Sequence, residues 1–284
     1  MTTSLMAFPP GGESVIRNNF VEQESESMNT EFFQLNPGGV IAELIINRPE
    51  VLNAANEQWI DELHSILDEL ETTDGMRVLV ISGAGRSFCT GIDLNALARG
   101  EIRLEWFRRW EEALRRIENL EAVTIAKLHG YVIGGGLQLA LACDLRVATD
   151  NSKHGLPAVL EALIPGFGTW RLPKFIGLGR ARRLVLTGEL IEAPEAARIG
   201  LLDWVVPESE LAATVAQITE QMLKGARTAQ FWSKRLVTSS FNTGFEAALE
   251  MYLDGQAQSL ASPEHQRAME EYLRARAERG RKKE

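Results

Sequence analysis

A chain of 284 residues, 45% of them hydrophobic, is long enough to bury a core of its own, as one large domain or one domain with a smaller appendage. Its net charge of -9 argues against nucleic acid as the main partner, although a local basic cluster would still suit a phosphorylated ligand. The two cysteines, Cys89 and Cys143, stand in segments that read as ordinary core, which points to a reducing, cytoplasmic compartment rather than a disulfide scaffold, and no metal cluster is visible.

Residues 1–30 combine Pro9-Pro10-Gly11-Gly12 with an acidic, serine-rich run. They hold no apolar stretch long enough for a signal peptide or a membrane span, so a flexible tail and no membrane partner are expected. From 31 to 206 strand and helix signals alternate. Residues 40–46 read as a strand, and Ile60, Leu63, Ile66, Leu67 and Leu70 then recur at helical spacing. Residues 78–81 are short, β-branched and followed by Gly83-Ala84-Gly85, which fits a buried strand, while Leu104, Phe107, Leu114 and Ile117 mark a second amphipathic helix. A strand at 123–126, a small-residue helix at 136–143 and a strand at 145–148 continue the order expected of an α/β domain with a parallel sheet. After Val206 the signals are helical alone, at 211–223, 228–237, 245–260 and 263–278. Helices of this length are marginal in isolation, so their apolar faces must be covered by the core or by another subunit.

Two segments bear on chemistry. In Ile133-Gly134-Gly135-Gly136-Leu137-Gln138 the missing side chains let backbone approach a ligand, and the helix that follows presents unpaired N–H groups at its positive end, where an anionic oxygen is stabilised. The alternative is a tight strand-to-helix turn or close helix packing. Phe88-Cys89-Thr90-Gly91-Ile92-Asp93-Leu94 follows the strand at 78–81 and sets a glycine before the N–H of Ile92, so donors from two loops are placed to converge.

Taken with Asn47-Arg48-Pro49-Glu50-Val51-Leu52-Asn53-Ala54, Ile164-Pro165-Gly166-Phe167-Gly168-Thr169 and Leu186-Thr187-Gly188, these segments make residues 32–280 similar to the crotonase family of enoyl-CoA hydratases and isomerases. The resemblance implies an α/β fold, a crotonase-like spiral of ββα repeats over 31–206, with a helical C-terminal part at 207–284 that takes part in trimerisation. It also implies a homotrimer or hexamer and an acyl-CoA substrate, with no cofactor beyond the coenzyme A that the substrate carries. The thioester oxygen would sit between the backbone N–H groups of Ile92 and Gly135, and such donors are typically worth ~3–4 kcal/mol each in the transition state.

The chain departs from its family where protons move. The hydratase pattern has a glutamate at the second position after the glycines and another directly after the proline of the later loop; these positions hold Gln138 and Ala158 here. Several members place an acid where this chain has Gly166. Gln138 can hydrogen-bond to water or substrate, but a neutral amide is no general base. Glu161 then stands out as a proton carrier: in the apolar stretch Val159-Leu160-Glu161-Ala162-Leu163 a buried carboxylate would have a raised pKa. A surface or ion-paired glutamate is the alternative.

Among other residues, Trp106 and Trp110 lie at i and i+4, placed either to line a flat acyl pocket or to pack in the core. Arg274 and Arg276 fall where family members often set basic residues near the CoA phosphates, with a solvated charged face as the alternative. His154, with Leu156 and Ala158 on one face of an extended strand, reads as a core or interface histidine, His129 as structural, Asp93 as a loop cap and Cys89 as inert core. The expected function is a reaction on an acyl-CoA through an oxyanion-stabilised enolate without the usual glutamate pair. A non-catalytic acyl-CoA binder and an acyl-CoA hydrolase of the same fold are the alternatives.

Overall fold

The computed structural model describes residues 28–281, so most of the tail expected at 1–30 lies outside the described residues. A seven-stranded sheet runs in the order Met28–Asn29, Phe33–Gly38, Ile41–Ile46, Val78–Gly83, Val123–Leu128, Leu145–Thr149 and Trp204–Val206. The first three strands pair antiparallel and the rest are parallel. Val78, Leu79, Val80 and Ile81 are all buried, because both faces of this central strand are covered, as a near-continuous apolar run in a parallel sheet requires. Tyr131–Ile133, Lys153–Gly155 and Ile191–Glu192 form a second sheet.

The helix Glu57–Thr72 buries Trp59, Ile60, Leu63, Ile66, Leu67 and Leu70 on one face, as their spacing predicts. Its first turn is closed by the Asn56 side chain, which accepts from the Trp59 N–H at 2.9 Å. The Leu104–Asn119 helix packs beside it, burying Trp106, Trp110, Ala113, Leu114 and Ile117. Neighbouring strands Val78–Gly83 and Val123–Leu128 are parallel, in register from Val78 opposite Val123. Their C-terminal ends therefore lie side by side, and the segments leading to Ile92 and Gly135 leave the sheet there, which is where α/β sheets form ligand crevices.

Several elements carried no clear sequence signal: the strand Phe33–Gly38 and the short helices Gly168–Ile176, Leu178–Thr187 and Ala193–Arg198. One expectation is corrected. The strand through His154 ends at Gly155, and Pro157 begins a 3-10 helix, Pro157–Glu161, so 154–158 do not alternate along one strand. Proline lacks the N–H that would continue the ladder and sets φ for a helical first turn.

Beyond Val206 the chain is helical, with Leu211–Leu223, Arg227–Ser239, Phe245–Ala261 and Pro263–Arg281. Arg77 holds this part to the sheet, donating to the carbonyls of Met222, Leu223 and Gly225 and to Gln230 Oε1. Lys234 does the same through Asp144 at 2.8 Å and the Ala122 carbonyl at 2.9 Å. No helix among the described residues is long and apolar enough to cross a membrane.

The Lys234 ammonium is nearly buried, so its removal leaves Asp144 without its counter-charge. Lys234→Ala is expected to cost about 2 kcal/mol of stability, read from the urea midpoint at unchanged slope.

Candidate active site

The site is built on two backbone segments in contact. Gly134 takes φ +56, and the helix Gly135–Ala142 starts at the next residue. Gly91 takes φ +86, and a β-carbon there would lie 2.4 Å from the Gly135 nitrogen. Only glycine permits both the conformation and the approach. A β-carbon on Gly136 would meet the Cys89 carbonyl oxygen at 2.0 Å. The segments are also stitched by hydrogen bonds, with the Cys89 N–H donating to the Tyr131 carbonyl at 3.3 Å and the Ile133 N–H to the Cys89 carbonyl at 3.1 Å.

Ile92 is held from both sides while its own N–H stays unused. The Ala55 N–H donates to the Gly91 carbonyl at 2.7 Å and the Asp93 N–H to the Ala55 carbonyl at 2.8 Å. Among the described residues neither the Ile92 nor the Gly135 N–H donates to a protein acceptor. Gly135 is the first helical residue, so its N–H is one of the groups a helix leaves unpaired.

Buried polar residues hold this arrangement. Asn53, in the left-handed region at φ +60, donates through Nδ2 to the carbonyls of Ala84, Ser87 and Phe88 and accepts from the Arg48 N–H through Oδ1. Asp93 caps the helix Leu94–Ala98 by accepting from the N–H groups of Asn95 and Ala96, and pairs with Arg48 Nη1 at 2.9 Å. Burial works against the Asp93 charge, but the Arg48 hydrogen bond, the Ala96 and Asn95 N–H groups and the Arg48 charge together hold its pKa below the ordinary carboxylate value. Cys89 is fully buried and its thiol is pushed up to about 12 by that burial, which leaves no thiolate for chemistry.

The two segments open into a cavity of about 1440 Å³, which brings together Ile92, Gly135, Gln138, Ala158 and Glu161. Trp106 and Trp110 line it too, and both are buried, so core packing and pocket wall are one arrangement. Their rings stack at 5.2 Å and 17°, and Trp110 stacks in turn on Trp59 at 5.2 Å. Trp110 also reaches the glycine segment, because a β-carbon on Gly135 would meet its ring at 2.8 Å. Gln138 is buried and its Oε1 has no hydrogen-bond partner, nor has Trp110 Nε1.

The remaining candidate residues have different surroundings. Glu161 lines the cavity but is exposed, as the last residue of a short 3-10 helix, and not buried as its apolar neighbours in sequence suggest. Arg274 and Arg276 do not line this cavity; they are exposed on the last helix, beside Glu270 and the Tyr272 hydroxyl. Glu111, not among the candidates that the sequence offers, also lines the cavity and is tied to Arg171 at 2.6 Å. Its one sequence signal is its place next to Trp110. Among the described residues no group of three or more His, Cys, Asp or Glu is placed to hold a metal.

Comparison with known proteins identifies the family of this chain. The enoyl-CoA hydratase/isomerase family model matches residues 37–283. The chain belongs to that family. It is 32% identical over 244 residues to a short-chain-enoyl-CoA hydratase of Clostridium acetobutylicum, covering 84% of this chain and 93% of that protein. It is 34% identical over 241 residues to a crotonyl-CoA hydratase of Syntrophomonas wolfei, covering 83% and 92%. The crystal structure of an enoyl-CoA hydratase from Bacillus anthracis superposes with a TM-score of 0.81 at 27% identity, over 86% of this chain and 97% of that one. The fold is thus the crotonase-like α/β spiral that the motifs imply.

Within the enoyl-CoA hydratase/isomerase family fold three of the four histidines bond protein groups through their rings. His154 is buried, bonds Ser152 Oγ at 2.9 Å through Nε2, and is pushed down to about 4 by burial. His129 bonds the Gly85 carbonyl and His64 the Arg109 carbonyl.

Because the Asp93 pKa is lowered in the folded state, its contribution to stability is full above the unfolded value of about 3.9 and fades as pH falls through the folded one. Asp93→Asn is expected to lose about 2 kcal/mol at pH 7. In urea titrations the difference from the parent should hold at neutral pH and shrink in acid.

Proposed function

We propose that this chain is an enzyme that acts on an acyl-CoA thioester through an enolate held between the Ile92 and Gly135 N–H groups. The observation that carries this reading is the pair of unused N–H donors, on two touching backbone segments, facing a large cavity walled by stacked tryptophans. As the thioester oxygen gains charge, fixed donors stabilise it without reorganising, which is worth ~3–4 kcal/mol per donor. The apolar wall of Trp106 and Trp110 suits the acyl chain.

Proton transfer departs from the two-glutamate scheme. Ala158 has no acid–base chemistry, and the Gln138 amide does not ionise near neutral pH. Its partnerless Oε1 instead accepts a hydrogen bond from water or substrate. Arg86, exposed within the cavity lining, suits the CoA phosphates, whereas Arg274 and Arg276 are not among the residues that line it. No cofactor beyond the coenzyme A of the substrate is needed for such a step.

Assembly as a homotrimer or hexamer is part of the same reading. Phe241, Phe245, Leu253, Tyr272 and Leu273 leave large apolar side chains exposed on the C-terminal helices, more than a monomer usually leaves together. The buried free thiols of Cys89 and Cys143 support a reducing, cytoplasmic setting.

The test is a product screen with 2-enoyl- and 3-enoyl-CoA substrates followed by mass spectrometry. Addition of water or movement of the double bond, with coenzyme A still attached, is expected; release of the free thiol would mean hydrolysis, and binding without conversion would mean a binder. Gln138→Ala is expected to lower kcat by roughly tenfold or more while acyl-CoA still binds.

A further inference from the structure

Five carboxylates line the cavity, and four are engaged elsewhere or face solvent. Asp93 caps a helix and pairs with Arg48. Glu50 and Glu112 have half or more of their side chains exposed, Glu112 beside Arg108. Glu161 is exposed. Glu111 differs, with a side chain only 19% exposed, on the same helix as the tryptophan wall and next to Trp110.

Its surroundings aim the carboxylate. Oε1 accepts from the Phe167 N–H at 2.8 Å and Oε2 from Arg171 Nη1 at 2.6 Å. Arg171 is buried and fixed by Glu118 at 2.7 Å. Each Glu111 oxygen keeps a free lone pair, so the clamp orients the group without saturating it. At Gly166, φ +48, a β-carbon would lie 2.7 Å from Glu111 Oε1 and 2.8 Å from Gln138 Oε1. The bare glycine thus leaves one small space to both side chains. Two acceptor oxygens border it, and Gln138 Oε1 is buried with no donor. A buried acceptor without a donor is expensive, and a proton on Glu111 or a water between the two would satisfy it. Gln138 lies three residues along the helix from Gly135, an axial rise of ~4.5 Å, so this space adjoins the unused N–H pair.

We propose that Glu111 is the proton carrier of the reaction, a catalytic residue, with Gln138 receiving the hydrogen bond of its protonated form. This rests on the enolate reading above. The Glu111 carboxylate takes a proton from the carbon next to the thioester carbonyl. The C–H pair becomes the enolate C=C bond, and the carbonyl π pair moves to the oxygen held by Ile92 and Gly135. Glu111, now neutral, donates to Gln138 Oε1 and later returns its proton to carbon. The negative charge passes from carboxylate to oxyanion and back, and no oxidant, reductant or leaving group is required.

The test uses butyryl-CoA, which has exchangeable protons next to its carbonyl but no double bond to convert. The full-length protein is incubated with it in deuterium oxide, and mass spectrometry reads deuterium uptake while calorimetry reads binding. The parent is expected to catalyse exchange. Glu111→Gln should lower its rate by about a hundredfold or more with butyryl-CoA still bound, the scale of a lost general base. Glu111→Asp keeps the charge but withdraws it by one methylene, and should lower the rate by roughly tenfold; this variant decides the question if the glutamine protein fails to fold. Exchange in E111Q at the parental rate would overturn the assignment and leave the enolate reading standing, as would a loss confined to E161Q. Binding without exchange by the parent protein would overturn both.

Discussion

Everything in the cleft depends on two peptide segments approaching with no side chain between them. Gly91 and Gly135 stand so close that a single methyl group on Gly91 would reach the Gly135 nitrogen at 2.4 Å. That contact brings two N–H groups from different parts of the chain to one cavity and leaves neither a protein acceptor among the described residues. A helix N-terminus always has spare donors. What is uncommon is a second one delivered beside it by a loop whose neighbouring peptides are all occupied.

The approach is maintained from behind. Asn53 ties three carbonyls of the loop that leads to Ile92, Arg48 links the same region to Asp93, and Asp93 closes the turn after Ile92. From the other side Trp110 packs on Gly135, with Trp59 and Trp106 stacked on either face of its ring. One helix therefore supplies both the tryptophan wall of the cavity and, at the next residue, Glu111. The Arg171 clamp extends this order to the loop at Gly166, so the donor pair and the Glu111 carboxylate share one rigid scaffold.

Much of the fold was legible in the sequence because its signals are local. Apolar spacing from Ile60 to Leu70, the β-branched run at Val78 and the four C-terminal helices all depend on periodicity that survives in one dimension. The helices between Gly168 and Arg198 are only six to ten residues long, too short for periodicity to mark. The strand expected to continue past His154 stops because Pro157 turns the chain into a 3-10 helix, a competition between apolar character and backbone chemistry that the proline wins.

At the site, the backbone features were legible in residue order. Gly91 before Ile92, the glycines at 134–136 and the absence of an ionisable group at Gln138 and Ala158 are properties of residue type and order, and the tertiary structure left them unchanged. The position of the carboxylates was decided only by the tertiary structure. Glu161 is near in sequence to the loop it was meant to serve, yet helical geometry leaves it exposed. Glu111 is far from that loop in sequence, and only the packing of its helix against Gly135 and the loop at Gly166 brings it beside Gln138. Burial and proximity are properties of the packed chain, so no local pattern could have ranked these two acids.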